Sequence, residues 1–330
     1  MVAIKLVRGS ARENAPNRDT CVKRGLEFLA SRAALFFPAY LSDTSDFEKR
    51  LETPPEVFTP ALILNALSEC GIEPDFLEDV VDSLMEAFTD RGLVHFFRDR
   101  DLLPADIDCT AVLLETMHRY QRVLKFEVDG ALSRVARNRD DQGVLRVYID
   151  PDPSRVDRLD AAACANALYT FELFETVVDA RPTLEYIEKY LRSDDFEQGT
   201  RYYPSPDVIL MFLSRWLRDA ASAPQPLREL ARLRTSDRLR QTTGNALDLA
   251  ARVTAANNLG LSSGQALERL ISLQRSDGSW PAAPCFKFGR NVRYFGSESL
   301  TTAFALRALK LNTYMRRQSG TFLKSTVSTP

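Results

Sequence analysis

Helical segments that are apolar or small on every side alternate along this chain with amphipathic, charged ones. Phe58–Leu67, Thr110–Leu114, Ala161–Leu173, Val208–Trp216, Leu247–Asn257 and Leu300–Leu309 are of the first kind. Glu78-Asp79-Val80-Val81-Asp82 and Leu184-Glu185-Tyr186-Ile187-Glu188 are of the second. A helix apolar all round has to be buried, and an amphipathic one covers it. Convincing strand alternation is nearly absent. The periodicity predicts helices over Cys21–Leu35, Val57–Cys70, Phe76–Thr89, Cys109–Val123, Glu127–Asn138 and Leu159–Val178. It continues with Thr183–Arg192, Pro206–Ala220, Gln225–Leu233, Ala246–Leu259, Gly264–Gln274 and Ser299–Leu311.

A loop of glycine followed by aromatics precedes several buried segments, at Gly92, Gly143, Gly199 and Gly278. The unit recurs roughly every 35 to 55 residues, the mark of stacked helical hairpins. Inner and outer helices in equal number close into an all-α (α/α)6 toroid around a central cavity; an open solenoid is the alternative packing of the same units. The toroid would occupy residues 19–314 as a single domain. Residues 1–18 form a polar, loosely ordered arm and 315–330 a flexible tail.

Composition narrows the function. The 330 residues carry 43 Lys and Arg against 45 Asp and Glu, which leaves no basic footprint for nucleic acid. No apolar run reaches membrane-spanning length, and the N-terminus lacks the order of a signal peptide. Five scattered cysteines, with no C-x-x-C pair, fit a reduced, cytoplasmic protein. Two histidines, His95 and His118, exclude most His-rich metal sites.

Two stretches could carry chemistry. In Leu103-Pro104-Ala105-Asp106-Ile107-Asp108-Cys109-Thr110-Ala111, two carboxylates stand two residues apart at the mouth of a buried helix. Helix capping accounts for one Asp and not for the second. Neighbouring carboxylates resist ionising together, so one can keep its proton at neutral pH and serve as a general acid. The second stretch, Cys285 to Ser297, gathers Lys287, Arg290 and Arg293 with Phe286, Phe288, Tyr294 and Phe295 before the last inner helix. Arginine forks and a Ser/Gly helix start suit a diphosphate, and a solvated basic loop is the plainer reading. If the inner helices run parallel, both stretches lie at one rim.

Asp106-Ile107-Asp108-Cys109-Thr110-Ala111 resembles the Asp-x-Asp-Asp-Thr-Ala acid motif of class II terpene cyclases, and its Asp-Cys-Thr-Ala half is similar to that of oxidosqualene cyclases. Gln274-Arg275-Ser276-Asp277-Gly278-Ser279-Trp280 resembles the QW motif of the same barrels, with Trp280 as a packing anchor hydrogen-bonded by Gln274. Tyr202-Tyr203-Pro204-Ser205-Pro206-Asp207 and the run from Tyr294 to Leu306 look like cyclases fused to haloacid-dehalogenase-like phosphatases that make drimane sesquiterpenes.

The resemblance implies a class II cyclase that protonates a linear prenyl diphosphate, farnesyl diphosphate foremost. Asp108 is then the acid. Asp106 would sharpen its proton or relay a new one, and Cys109 would hydrogen-bond the acid. The diphosphate would be gripped by Lys287, Arg290 and Arg293, with room for one Mg2+ bridging it to a carboxylate. Neither zinc nor a nucleotide is implied, and a separate phosphatase would process the product. Carbocations need π faces and dryness, which Phe96, Phe97, Tyr202, Tyr203, Phe212, Trp216, Phe286, Phe288 and Phe295 can supply. His95 or a tyrosine is a candidate for taking the final proton. Two other readings share the toroid. A protein prenyltransferase β-like subunit lacks its Asp, Cys and downstream His zinc set here, and a non-catalytic toroid would bind a lipid or partner without needing the paired carboxylates.

Overall fold

A computed structural model describes residues 17–47, 49–150, 158–241, 243–288 and 293–325, with side chains as far as Leu311. The arm over 1–16, Arg290 and the end of the tail over 326–330 lie outside the described residues. Twelve α-helices are present among them. The odd-numbered ones are α1 (Arg18–Ala33), α3 (Glu78–Met85), α5 (Val128–Arg137), α7 (Arg181–Arg192), α9 (Gln225–Arg240) and α11 (Gly264–Ser272). The even-numbered ones are α2 (Phe58–Ser68), α4 (Ile107–Arg119), α6 (Ala161–Leu173), α8 (Pro206–Asp219), α10 (Ala246–Asn258) and α12 (Glu298–Ser325). Every predicted helix is found, shifted at its ends by a few residues or more.

The even helices form the inner ring. Each packs on the next, α2 on α4, α4 on α6, α6 on α8, α8 on α10 and α10 on α12, and α12 returns to α2. That last contact excludes the open solenoid. Helix α1 lies against α12, so the first helix covers the last. Among the described side chains, the inner helices are buried along most of their length, whereas α7 buries only Thr183, Ile187 and Leu191. Burial of whole inner helices and one stripe of each outer helix is what the alternation in the sequence demands.

Because an outer helix intervenes between each inner pair, all inner helices point the same way. Their starts are capped by oxygen side chains. Asp106, Asp160, Ser205 and Asn245 cap α4, α6, α8 and α10, Glu56 accepts from Phe58 N and Thr59 N, and Ser297 Oγ accepts from Leu300 N. Such a cap stabilises a helix by about 1 kcal/mol. Toward the C-terminal ends, Glu69 and Glu115 meet Arg119 and Arg215, and Arg307 bonds Glu69 Oε2 at 3.0 Å. Burial pushes the Glu69 carboxyl up, but Arg215, Arg307 and Arg119 outweigh it and hold it well below the ordinary range. Loss of one partner would strand a buried charge.

Three expectations are corrected. A small antiparallel sheet exists, in the order β2-β1-β4-β3, built from β1 (Tyr40–Ser42), β2 (Arg50–Glu52), β3 (Phe286–Lys287) and β4 (Tyr294–Gly296). Its strands are two or three residues long, too short to show alternation. The Trp280 indole donates to Leu270 O at 2.7 Å, and Gln274 Nε2 donates instead to Cys21 O and Gly278 O. The 274–280 turn therefore ties α11 to α1. Helix α12 also continues to Ser325, well into the segment expected as a tail.

Candidate active site

The loop before α4 is pinned on two sides. Asp106 N donates to Val94 O, Ile107 N to Val147 O, and Ile149 N to Ala105 O. Thr110 Oγ1 accepts from Val94 N at 3.0 Å, which gives the threonine of the motif a structural task. Asp106 caps α4 by accepting from Cys109 N at 2.7 Å. Helix α4 thus begins at Ile107, earlier than predicted, and Asp108 falls in its first turn. The Cys109 thiol also bonds Asp106, so it does not hold Asp108 as the resemblance implied.

Asp108 is 8% exposed. Its Oδ1 accepts from Asn166 Nδ2 at 2.8 Å, and its Oδ2 lies 2.5 Å from the Tyr203 hydroxyl. Burial, and next the charge of Asp106, push the Asp108 carboxyl up to about 7, against the two hydrogen bonds. Burial raises Asp106 to about 6. The charge of Asp106 thus favours the protonated form of its neighbour. A carboxylic acid near neutrality, buried beside apolar walls, is poised to give a proton.

A cavity holding about 570 Å3 of atom-free space, mouth included, opens onto Asp106, Asp108 and Cys109. The cavity is lined by the starts of inner helices and the loops before them. Phe96, Tyr202, Tyr203, Phe286, Phe288 and Phe295 lie on its wall as the sequence suggested, and Phe58 and Tyr148 join them. Phe286 is the hub of the aromatic side. It lies 5.6 Å from Phe58, 5.5 Å from Phe96 and 5.2 Å from Phe295, ring centre to ring centre. The sheet creates this grouping, because β3 and β4 pair Phe286 with Phe295.

Three suggested aromatics stand off the wall. Phe97 packs edge-on behind Phe96, Phe212 packs behind Tyr203, and Trp216 is buried lower on α8. Lys287 reaches the cavity from β3. Arg293 does not: its guanidinium meets Asp43 at 3.5 Å and is 58% exposed. His95 Nδ1 is 2.7 Å from Leu103 O, which ties it to the loop.

Sequence reasoning missed Asn166 and Asp160. Asn166 is a lone amide in a helix of alanines, and Asp160 stands directly before that helix, both visible signals. Among the described residues, no cluster of three or more His, Cys, Asp or Glu side chains could hold a metal ion. No described helix is long and apolar enough to cross a membrane.

No protein-family profile matches the chain. The drimenol cyclase DrtB of Aspergillus calidoustus is 31% identical over 211 residues, 63% of this chain, and the chain spans only 38% of that relative's length. Among solved structures, the type II terpene cyclase MstE from Scytonema superposes with a TM-score of 0.66 at 14% identity, over 89% of this chain and 98% of that one. The ent-copalyl diphosphate synthase of Streptomyces platensis gives 0.57 at 17% identity, over 77% of this chain and 50% of that one. The fold is that of the class II terpene cyclases.

Proposed function

We propose that this chain is a class II terpene cyclase that protonates a linear prenyl diphosphate, with farnesyl diphosphate and a drimane-type product as the first expectation. One observation carries the reading: Asp108, held near neutrality, opens into a cavity walled by aromatics with Lys287 on the same wall. The relative named as a drimenol cyclase supports the choice of substrate and product.

The Asp108 O–H would add its proton to the terminal alkene, forming a C–H bond and leaving a tertiary cation. Internal double bonds close on that cation in turn, and loss of a proton from carbon ends the sequence, so substrate and product are isomers. The aromatic wall stabilises the moving charge and excludes water. Asn166 and Tyr203 would stabilise the carboxylate that remains on Asp108. Lys287 would grip the diphosphate, which stays attached, and a separate phosphatase would remove it. One carboxylate of the site would hold an Mg2+ ion against the diphosphate, and the ion would supply neutralisation of its charge there.

Incubation with geranyl, farnesyl and geranylgeranyl diphosphates plus Mg2+, then dephosphorylation and mass spectrometry, tests this. A cyclic isomer of one substrate, absent with Asp108→Asn, supports the reading. Turnover that survives Asp108→Asn would refute it.

A further inference from the structure

Asp160 caps α6 with one carboxylate oxygen and holds a neighbouring loop with the other. Its Oδ1 accepts from Ala162 N at 2.9 Å and Ala163 N at 3.3 Å, while Oδ2 accepts from Tyr202 N at 3.2 Å. The Thr200 hydroxyl bonds it as well. Asp160 is 1% exposed, so these bonds are made without competition from water.

The loop it holds is closed on itself. Thr200 N donates to Tyr203 O, and Tyr203 N donates to Thr200 Oγ1. Gly199 has φ +73°, and a Cβ there would strike the Tyr203 carbonyl, so the turn requires glycine. Tyr202 then connects two parts of the cavity. Its N–H goes to Asp160, and its carbonyl accepts from Lys287 N at 2.7 Å. The next residue, Tyr203, meets Asp108.

We infer that Asp160 is a positioning residue that sets the acid and the cationic grip in register through the single Tyr202 residue. The inference rests on the functional reading above for its kinetic consequence, not for its geometry. Without the second oxygen, the 199–204 loop would be free to drift from α6, carrying the Tyr203 hydroxyl off Asp108 and loosening the strand that bears Lys287. Displacements of about an ångström at such a site are costly to rate.

Asp160→Asn separates this role from helix capping, because asparagine caps a helix as well as aspartate does. One asparagine oxygen can still face Ala162 and Ala163, but an NH2 group now faces the Tyr202 N–H. The expected result is an unchanged melting temperature within about 3 °C, kcat lower by about tenfold and KM higher by about threefold. Tyr203→Phe should move kcat alone and Lys287→Ala KM alone, so a joint change is the signature of the shared residue. Thr200→Val, which leaves all charges in place, should show the same joint change more weakly.

Amide hydrogen exchange gives a readout that needs no substrate. The amides of Tyr202, Tyr203 and Lys287 should exchange about tenfold faster in Asp160→Asn, with those inside α6 unchanged. Faster exchange in the variant, alongside a wild-type protein that cyclises nothing, would leave the positioning role standing and remove the functional reading. Unchanged exchange at Tyr202 and Lys287, or activity lost only in proportion to folded protein, would overturn the inference.

Discussion

The hydroxyl of Tyr203 and the carboxyl of Asp108 meet at 2.5 Å although 95 residues separate them. Tyr203 stands in the loop before α8 and Asp108 in the first turn of α4, so the contact exists only because parallel inner helices bring their starts to one rim. Asn166 from α6 completes the setting at 2.8 Å. Side chains from α4, α6 and the loop before α8 thus meet at one carboxyl.

Replacing Asp108 with asparagine should abolish turnover and stabilise the protein at alkaline pH. The folded-state pKa is raised, to about 7. Stability from the neutral acid is therefore fully present below the unfolded value, near 4, and is lost as pH rises through about 7. Ionising this carboxyl inside the fold, and not in the unfolded chain, costs at most about 4 kcal/mol. Thermal melts at pH 8 should place Asp108→Asn above wild type, with the gap closing toward pH 4. A variant less stable at pH 8 than at pH 4, relative to wild type, would mean that folding lowers the Asp108 pKa instead of raising it.

Tyr203→Phe removes a hydrogen bond that lowers the Asp108 pKa and stabilises the carboxylate left after proton transfer. The rate at pH 6 should fall by about tenfold, with KM little changed, because proton donation is harder from a weaker acid. The alkaline limb of the pH–rate curve should move to higher pH, by roughly one pH unit. A limb that moves down, or a change confined to KM, would exclude Tyr203 as the acid's partner.

Lys287 and Arg293 are equal candidates in the sequence and unequal in the structure. Lys287→Ala should raise KM by about tenfold, since this residue lies on the cavity wall. Arg293→Ala should change KM by less than about threefold, because that guanidinium sits in water against Asp43. Titration of both variants with the same prenyl diphosphate decides between them.

Phe286 touches Phe58, Phe96 and Phe295, so Phe286→Leu opens the aromatic side without removing all of its bulk. Partly cyclised and hydroxylated products should rise from traces to about a third of the total, as water and slack reach the cation. Trp216→Phe, off the wall, should leave the product profile as it was. Gas chromatography of the dephosphorylated products reads both.

Most of the ring was legible because its cause is local. Whether a helix is apolar on one side or on all sides is written in successive residues, and so are its caps. Asp106 and Asp108 were legible for the same reason. Asn166 and Asp160 were readable as lone polar groups beside an alanine run, yet what they touch depends on ring closure. The sheet escaped because pairs such as Tyr40 with Gly296 join the two ends of the chain. Arg293 was misplaced by its company, since a run of cations gives no hint of which side chain turns inward. The partner of Trp280 was missed because an indole can reach any carbonyl that the packing brings near.

Running the reaction in D2O tests the central claim most directly. If Asp108 starts the cyclisation, its exchangeable proton becomes a carbon-bound hydrogen of the product. Mass spectrometry should then show one deuterium per cyclic molecule, with the diphosphate still attached and no pyrophosphate released. An unlabelled cyclic product, formed with one equivalent of free pyrophosphate, would contradict the account.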